Sequence, residues 1–221
     1  MAGNLKHFII GGFEDSFEVN CLALFGEAYG YIKENAGITV DWDEENISAN
    51  FFEYIDNSKN AISLNINISD EHRLYYLEIL SNKKPAKAAS RIDFRLTTNW
   101  TEERKRLEYF VEAKNLIESD CEKTGRKSKL SAHGLNERYV KTGIGKFISG
   151  DYPQNGCLVG YVLQGEPTII VEKINECLQD KHRSTERLRE VESPILDMKY
   201  FYQSAHEGGF ILKHYLLNFS A

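Results

Sequence analysis

Along the 221 residues, the spacing of apolar positions changes in a way that separates helices from strands. From 16 to 34, Leu22, Phe25, Tyr29 and Ile32 recur at helical intervals, and Gly37 follows them. A second helix is expected from about Glu44 to Asn57, with Ile47, Phe51 and Tyr54/Ile55 along one side. The pattern then alternates through Ile62, Leu64, Ile66 and Ile68, which predicts a half-buried strand, and 75–80 reads as another. Residues 91–97 (RIDFRLT) alternate as well, placing Ile92, Phe94 and Leu96 on one face and Arg91, Asp93 and Arg95 on the other. After the polar connection TNWTEERKR, residues 108–117 form the next strand. A helix over 136–149 points Val140, Ile144, Phe147 and Ile148 inward and Arg138, Lys141 and Thr142 outward. The nearly unbroken apolar run 157–164 suits a strand covered on both faces. A helix over 168–181, with Ile170, Ile174 and Leu178 inward, precedes strands at 199–205 and 210–219, which join through Glu207-Gly208-Gly209.

Helices on either side of a central group of strands predict an α/β fold, three layers with a mixed sheet in the middle. No linker divides the chain, so one domain is expected: a helical extension over 1–43, a core over 44–180, and a further extension over 181–221. No run approaches the ~18 apolar residues a membrane span needs. The stretch Leu5 to Phe13 carries Lys6, His7 and two glycines and does not read as a signal peptide. Cys21, Cys121, Cys157 and Cys177 are far apart, which suits a reducing compartment, and the cytoplasm is the expected location.

The net charge of −6 argues against a protein that coats nucleic acid. Basic residues are nevertheless gathered in 81–91, with four and no acid, and in 123–146, with seven against one Glu. Between these segments lies the candidate chemistry. Asp93 stands on one strand, and Glu112-Ala113-Lys114 on the next puts Glu112 and Lys114 on a shared face. If the strands pair, two carboxylates flank one ammonium, a set suited to Mg²⁺ with water and phosphate oxygens completing its shell. Acid-x-Lys also occurs at Glu103-Arg104-Lys105 and Asp197-Met198-Lys199, but only the middle copy combines a strand context with an acid on the neighbouring strand. The six histidines show no HExxH or HxH spacing, and no GxxxxGK[ST] points to ATP. His206 reads as a surface residue beside a turn, and Tyr161 and the pair Tyr75-Tyr76 as core. Gly143 and Gly145 inside a helix imply a close approach to the sheet or to a phosphate.

In its order of elements the chain resembles the PD-(D/E)xK nuclease superfamily, the restriction endonuclease-like fold. The matching pieces are a helix, RIDFRL (91–96), EYFVEAKNL (108–116), the helix RYVKTGIGKFISGDY (138–152) and the strand GCLVGYVLQG (156–165), over about residues 44–180. The name-giving proline before Asp93 is absent. The resemblance implies Asp93 and Glu112 as ligands of Mg²⁺ or Mn²⁺ and Lys114 as the catalytic lysine. It implies a further acid from the preceding helix, Glu45 ahead of Glu53. It also implies basic groups facing phosphate from the later helix: Arg138, Lys141 and Lys146.

The expected function is therefore a metal-dependent endonuclease, on DNA ahead of RNA, with restriction, phage defence and repair all open as roles. A protein partner or a second copy of the chain is compatible with this, and no membrane is expected. The alternatives are a nuclease-like domain that binds nucleic acid or protein without cutting, and an interaction module with no site at all.

Overall fold

The computed structural model of the chain describes residues 2–75, 77–83, 85, 87, 89–99, 106–124, 129–196 and 198–220. Helices α1 (Ala2–Asn35), α2 (Glu44–Asp56) and α3 (Lys59–Ser63) come first. Next are β1 (Asn67–Leu74), the one-turn α4 (Leu77–Leu80), β2 (Ser90–Asn99) and β3 (Arg106–Ile117). A small ribbon, β4 (Cys121–Glu122) with β5 (Lys129–Leu130), precedes a helix in three parts. These parts are α5 (Ala132–Arg138), a π-helical stretch (Tyr139–Ile144) and α6 (Gly145–Ile148). The chain ends with β6 (Gly156–Gln164), α7 (Pro167–Asp180), β7 (Arg189–Glu190), β8 (Phe201–Ala205) and β9 (Ile211–Asn218).

Among the described residues, seven strands form one mixed sheet in the order β1-β2-β3-β6-β9-β8-β7. The β1-β2-β3 and β9-β8-β7 pairings are antiparallel, and β3, β6 and β9 run parallel at the centre. Helices cover both faces, so β6 is buried from Gly156 to Leu163, as its unbroken apolar run requires. On one face α1 and α2 lay Leu22, Phe25, Ile47 and Ile55 against Phe94, Val111 and Val159. Phe51 stacks there between Phe25 and Tyr161, at centroid distances of 5.6 and 5.4 Å. On the other face the three-part helix and α7 lay Val140, Ile144, Ile170 and Ile174 against Phe110, Leu158, Val162 and Leu216. A Cβ at Gly143 would meet Leu158 Cδ2 at 2.8 Å, so this glycine serves the helix–sheet approach. The terminal segments belong to the same body: α1 lies on the sheet, and β9 pairs directly with β6.

Three expectations about strands need correction. Alternation over 62–68 is not one strand, because the Ser58 hydroxyl accepts from the N–H groups of Asn60 and Ala61 and caps α3. Ile62 and Leu64 then face solvent, 71% and 40% exposed, and only Ile66 and Ile68 are buried. The next strand is the charged segment NISDEHRL rather than 75–80. β1 is an edge strand with much of its surface in water, so its pattern carries little apolar signal. Tyr75 is 51% exposed, not core, and Tyr76 lies outside the described residues.

The third correction concerns Ile92, which joins the core under α5–α7 while Phe94 and Leu96 join the core under α1 and α2. Strict alternation fails where the pairing of β2 lapses on both sides. In β1, Glu71 takes a left-handed backbone (φ +41°), and pairing passes from Asp70↔Phe94 to His72↔Ile92. On the other side, the β2–β3 pairing runs from Asn99↔Arg106 to Phe94↔Val111. Ile148 also departs from expectation, 38% exposed, because the π stretch shifts the phase of the helix beyond it.

Candidate active site

The divergence of β2 from β3 creates the polar cluster. Beyond Val111, the next N–H groups of β3 on that edge are those of Ala113 and Asn115, and buried N–H groups require acceptors. Side chains supply them in place of strand carbonyls. Asp93 Oδ2 accepts from Ala113 N–H at 2.6 Å, and Glu44 Oε2 from Asn115 N–H at 3.0 Å. Glu44 reaches over from the first turn of α2, where the helix dipole favours a carboxylate.

Lys114 sits between these acids. Its ammonium donates to Ala113 O at 2.6 Å, Glu112 Oε1 at 2.7 Å and Glu44 Oε1 at 3.2 Å, which engages all three of its protons. Glu112 and Lys114 are only 3% and 5% exposed, whereas Asp93 and Glu44 are partly open and Arg138 is exposed, so the approach runs past the last three. Arg138 Nη2 lies 3.7 Å from Glu44 Oε1.

The expected trio Asp93, Glu112 and Lys114 is thus gathered in one place. The additional acid is Glu44, not Glu45. Glu45 is exposed, one helical step round α2, and Glu53 lines a groove of about 850 Å³ between the C-terminal ends of α1 and α2. The capping position of Asp43, together with one turn of helical phase, was the available signal for Glu44. Of the basic groups, Arg138 is at the rim, and Lys146 turns inward to donate to the Tyr152 hydroxyl at 2.7 Å. Lys141 is exposed and, among the described residues, makes no contact with the acids.

Burial and negative charge dominate the electrostatics. Burial first, then the neighbouring Glu112 carboxylate, pushes the Asp93 carboxyl up to about 7, against the pull of Lys114. Burial likewise raises Glu112, and Lys114 only partly offsets it. Burial works against the Lys114 charge, but Glu112, Glu44 and Asp93 outweigh it and hold this ammonium above its ordinary range. Three carboxylates thus surround one buried ammonium. Glu112 Oε2 is buried with no hydrogen-bond partner, and among the described residues Asp93 Oδ1 accepts no hydrogen bond. An orphaned carboxylate oxygen beside surplus negative charge fits a cation. Among the described residues no group of three or more His, Cys, Asp or Glu side chains is placed to hold a metal ion, so the donors to a cation here would be the pair Asp93 and Glu112.

The basic segments contribute less than their sequence implies. Lys83 and Lys87 are exposed, and exposed Arg91 pairs with Glu71 at 3.0 Å. Lys84 and 125–128 lie outside the described residues, as do Glu103, Lys105 and Asp197 of the other acid-x-Lys copies. Lys123 is buried and bound to Asp43 at 2.6 Å, pinning the start of α2 rather than lining a groove.

A second polar constellation escaped the sequence reading. His206 is not a surface residue: its Nδ1 lies 2.6 Å from Glu186 Oε2 and its Nε2 2.7 Å from Ser204 Oγ. Ser204 Oγ is also 2.8 Å from His214 Nε2, and His214 Nδ1 is 3.0 Å from Tyr139 Oη. Polar residues at inward positions of the apolar strands β8 and β9 were the signal. Glu186, held charged chiefly by Arg183, can only accept, which fixes every proton: Tyr139 donates to His214, His214 to Ser204, Ser204 to His206, and His206 to Glu186. Ser204, His206 and Glu186 have the spacing of a nucleophile, a base and its orienting acid. Ser204 is 1% exposed and already receives a proton from a second imidazole, so the set is sealed.

The four cysteines are free, and among the described residues no helix is long and apolar enough to cross a membrane. The chain matches no family model, no curated protein and no solved structure.

Proposed function

We propose that the protein is a metal-dependent nuclease of the PD-(D/E)xK kind, hydrolysing phosphodiester bonds in DNA. Asp93 and Glu112 would hold Mg²⁺ or Mn²⁺, and Lys114 would face the scissile phosphate. One observation carries the reading: two carboxylates, one with an orphaned oxygen, bracket a lysine at a split in the sheet. The succession α2, Asp93 strand, Glu-x-Lys strand, helix and buried strand also supports it.

When bound, a divalent cation supplies charge stabilisation on the phosphate and a more acidic water. The chain's own groups account for the rest. Asp93 and Glu112 would hold the cation, with Asp93 Oδ2 and Glu112 Oε1 already fixed by Ala113 N–H and Lys114. As phosphate enters, the Lys114 ammonium exchanges the Glu44 carboxylate for a phosphate oxygen and offsets the charge growing there. Arg138, at the rim, neutralises a flanking phosphate. Restriction, phage defence and repair remain the candidate roles.

The test is cleavage of plasmid and oligonucleotide DNA with Mg²⁺ or Mn²⁺, with EDTA as the control. Glu112→Gln and Lys114→Ala should each lose about 10²-fold or more in rate. A wild-type rate in either variant, or no cleavage by the native protein of any DNA or RNA offered, would overturn the proposal. A second reading, a nuclease-like domain that binds nucleic acid without cutting it, is favoured by the burial of Glu112 and Lys114 and by the three occupied protons of that ammonium. Metal-independent DNA binding without cleavage would select it.

A further inference from the structure

Tyr152 stands where three parts of the candidate site meet. Its hydroxyl donates to Arg91 O at 2.7 Å, accepts from Lys146 Nζ at 2.7 Å, and lies close enough to Glu112 to act on that carboxylate. Arg91 is two residues before Asp93, on the part of β2 that has parted from β3. Among the described residues, the ties holding that part on its β3 side are the Ala113 N–H to Asp93 and the Tyr152 hydroxyl to Arg91 O.

The hydroxyl itself has little freedom. The Tyr152 ring is 1% exposed and packs edge-on to Phe147 at 5.3 Å. Its backbone N–H donates to Lys146 O at 2.9 Å, and the Lys146 ammonium lies 4.7 Å from the ring centroid. One rigid side chain therefore anchors the backbone two residues before Asp93, and it stands with the Lys146 ammonium beside the Glu112 carboxylate. Lys146, expected at a substrate phosphate, spends its charge on this hydroxyl and on Glu112.

We infer that Tyr152, backed by Lys146, is a positioning residue that fixes the separation of Asp93 and Glu112 for a shared divalent cation. The inference rests on the nuclease reading above. It assigns both residues to the support of the metal ligands, whose loss costs 10–100-fold in affinity where such support has been removed from metal sites.

The experiment is a calorimetric titration of the metal-free protein with Mn²⁺, alongside urea unfolding of each variant without metal. Wild type should bind Mn²⁺, and Glu112→Gln should abolish that binding. Tyr152→Phe, which keeps the ring, should weaken it about 10-fold or more. Lys146→Met, which leaves the Tyr152–Arg91 bond in place, should weaken it by a smaller factor, with Lys146→Arg restoring it. If Tyr152→Phe does not fold, the Lys146 pair decides. Wild-type affinity in Tyr152→Phe and Lys146→Met, with binding still lost in Glu112→Gln, overturns the positioning role and leaves the nuclease reading intact. No Mn²⁺ binding by wild type overturns both.

Discussion

Two buried polar networks lie in one sheet, and they are built to opposite rules. On β8 and β9 the chain Tyr139–His214–Ser204–His206–Glu186 matches every donor to an acceptor and ends on a carboxylate tied to Arg183. On β2 and β3 three carboxylates crowd one ammonium, and one oxygen is left with no partner. A fully satisfied network fixes a structure, while a half-satisfied one is costly to keep unless something completes it. The contrast separates a staple from a candidate site more firmly than residue types do, since the stapled network is the one with the look of a hydrolase triad.

The largest test of this contrast is Lys114→Ala. It leaves Glu112 and Glu44 uncompensated, and about 3–5 kcal/mol should be lost in urea unfolding at pH 7. A loss under 1 kcal/mol would mean that water already reaches these acids.

Next comes acid. Burial pushes His214 down to about 3 from an ordinary value near 6.5. The unfolded chain then binds the proton more readily, so the stabilisation is full above pH 6.5 and drains away as pH falls toward 3. The sum over that window is on the order of 4 kcal/mol. His206, also lowered by burial, adds in the same direction. Unfolding midpoints that stay flat from pH 7 to pH 4 would contradict the neutral chain of hydrogen bonds.

A smaller effect follows from Ser204→Ala, which strands a donor on His214 and an acceptor on His206 and should cost about 2 kcal/mol. Smallest is Asp93→Asn, and its sign is opposite. A carboxyl raised to about 7 favours folding while protonated, and that benefit is lost as pH rises from 3.8 through 7. The amide carries no charge to bury, so the variant should be more stable than wild type by about 1 kcal/mol at pH 8. Equal destabilisation by both substitutions would erase the distinction between the networks.

Much of this was legible in the residues, for reasons that also explain what was not. Helices α2 and α7 and strands β3 and β6 show their periods because each buries a continuous stripe or run. Asp93, Glu112 and Lys114 could be paired on paper because a hairpin brings neighbouring strands together whatever its details. The break in pairing was not legible: the left-handed Glu71 and the parting of β2 from β3 send Ile92 to the other core, and spacing alone does not encode them. Choosing Glu44 over Glu45 depended on helical phase at a terminus, where one residue turns a side chain by about 100°. The His206 network joins residues from four separate segments, and only tertiary packing assembles it.

The sheet's two outermost strands carry one further consequence. β1 presents Asp70, Glu71, His72 and Arg73 along its length, broken by a left-handed residue, and β7 is two residues long. Neither rim offers the long, flat, apolar template on which another molecule's backbone could zip. Copies of the chain should therefore resist pairing through these two rims, which directs association away from this sheet's edges.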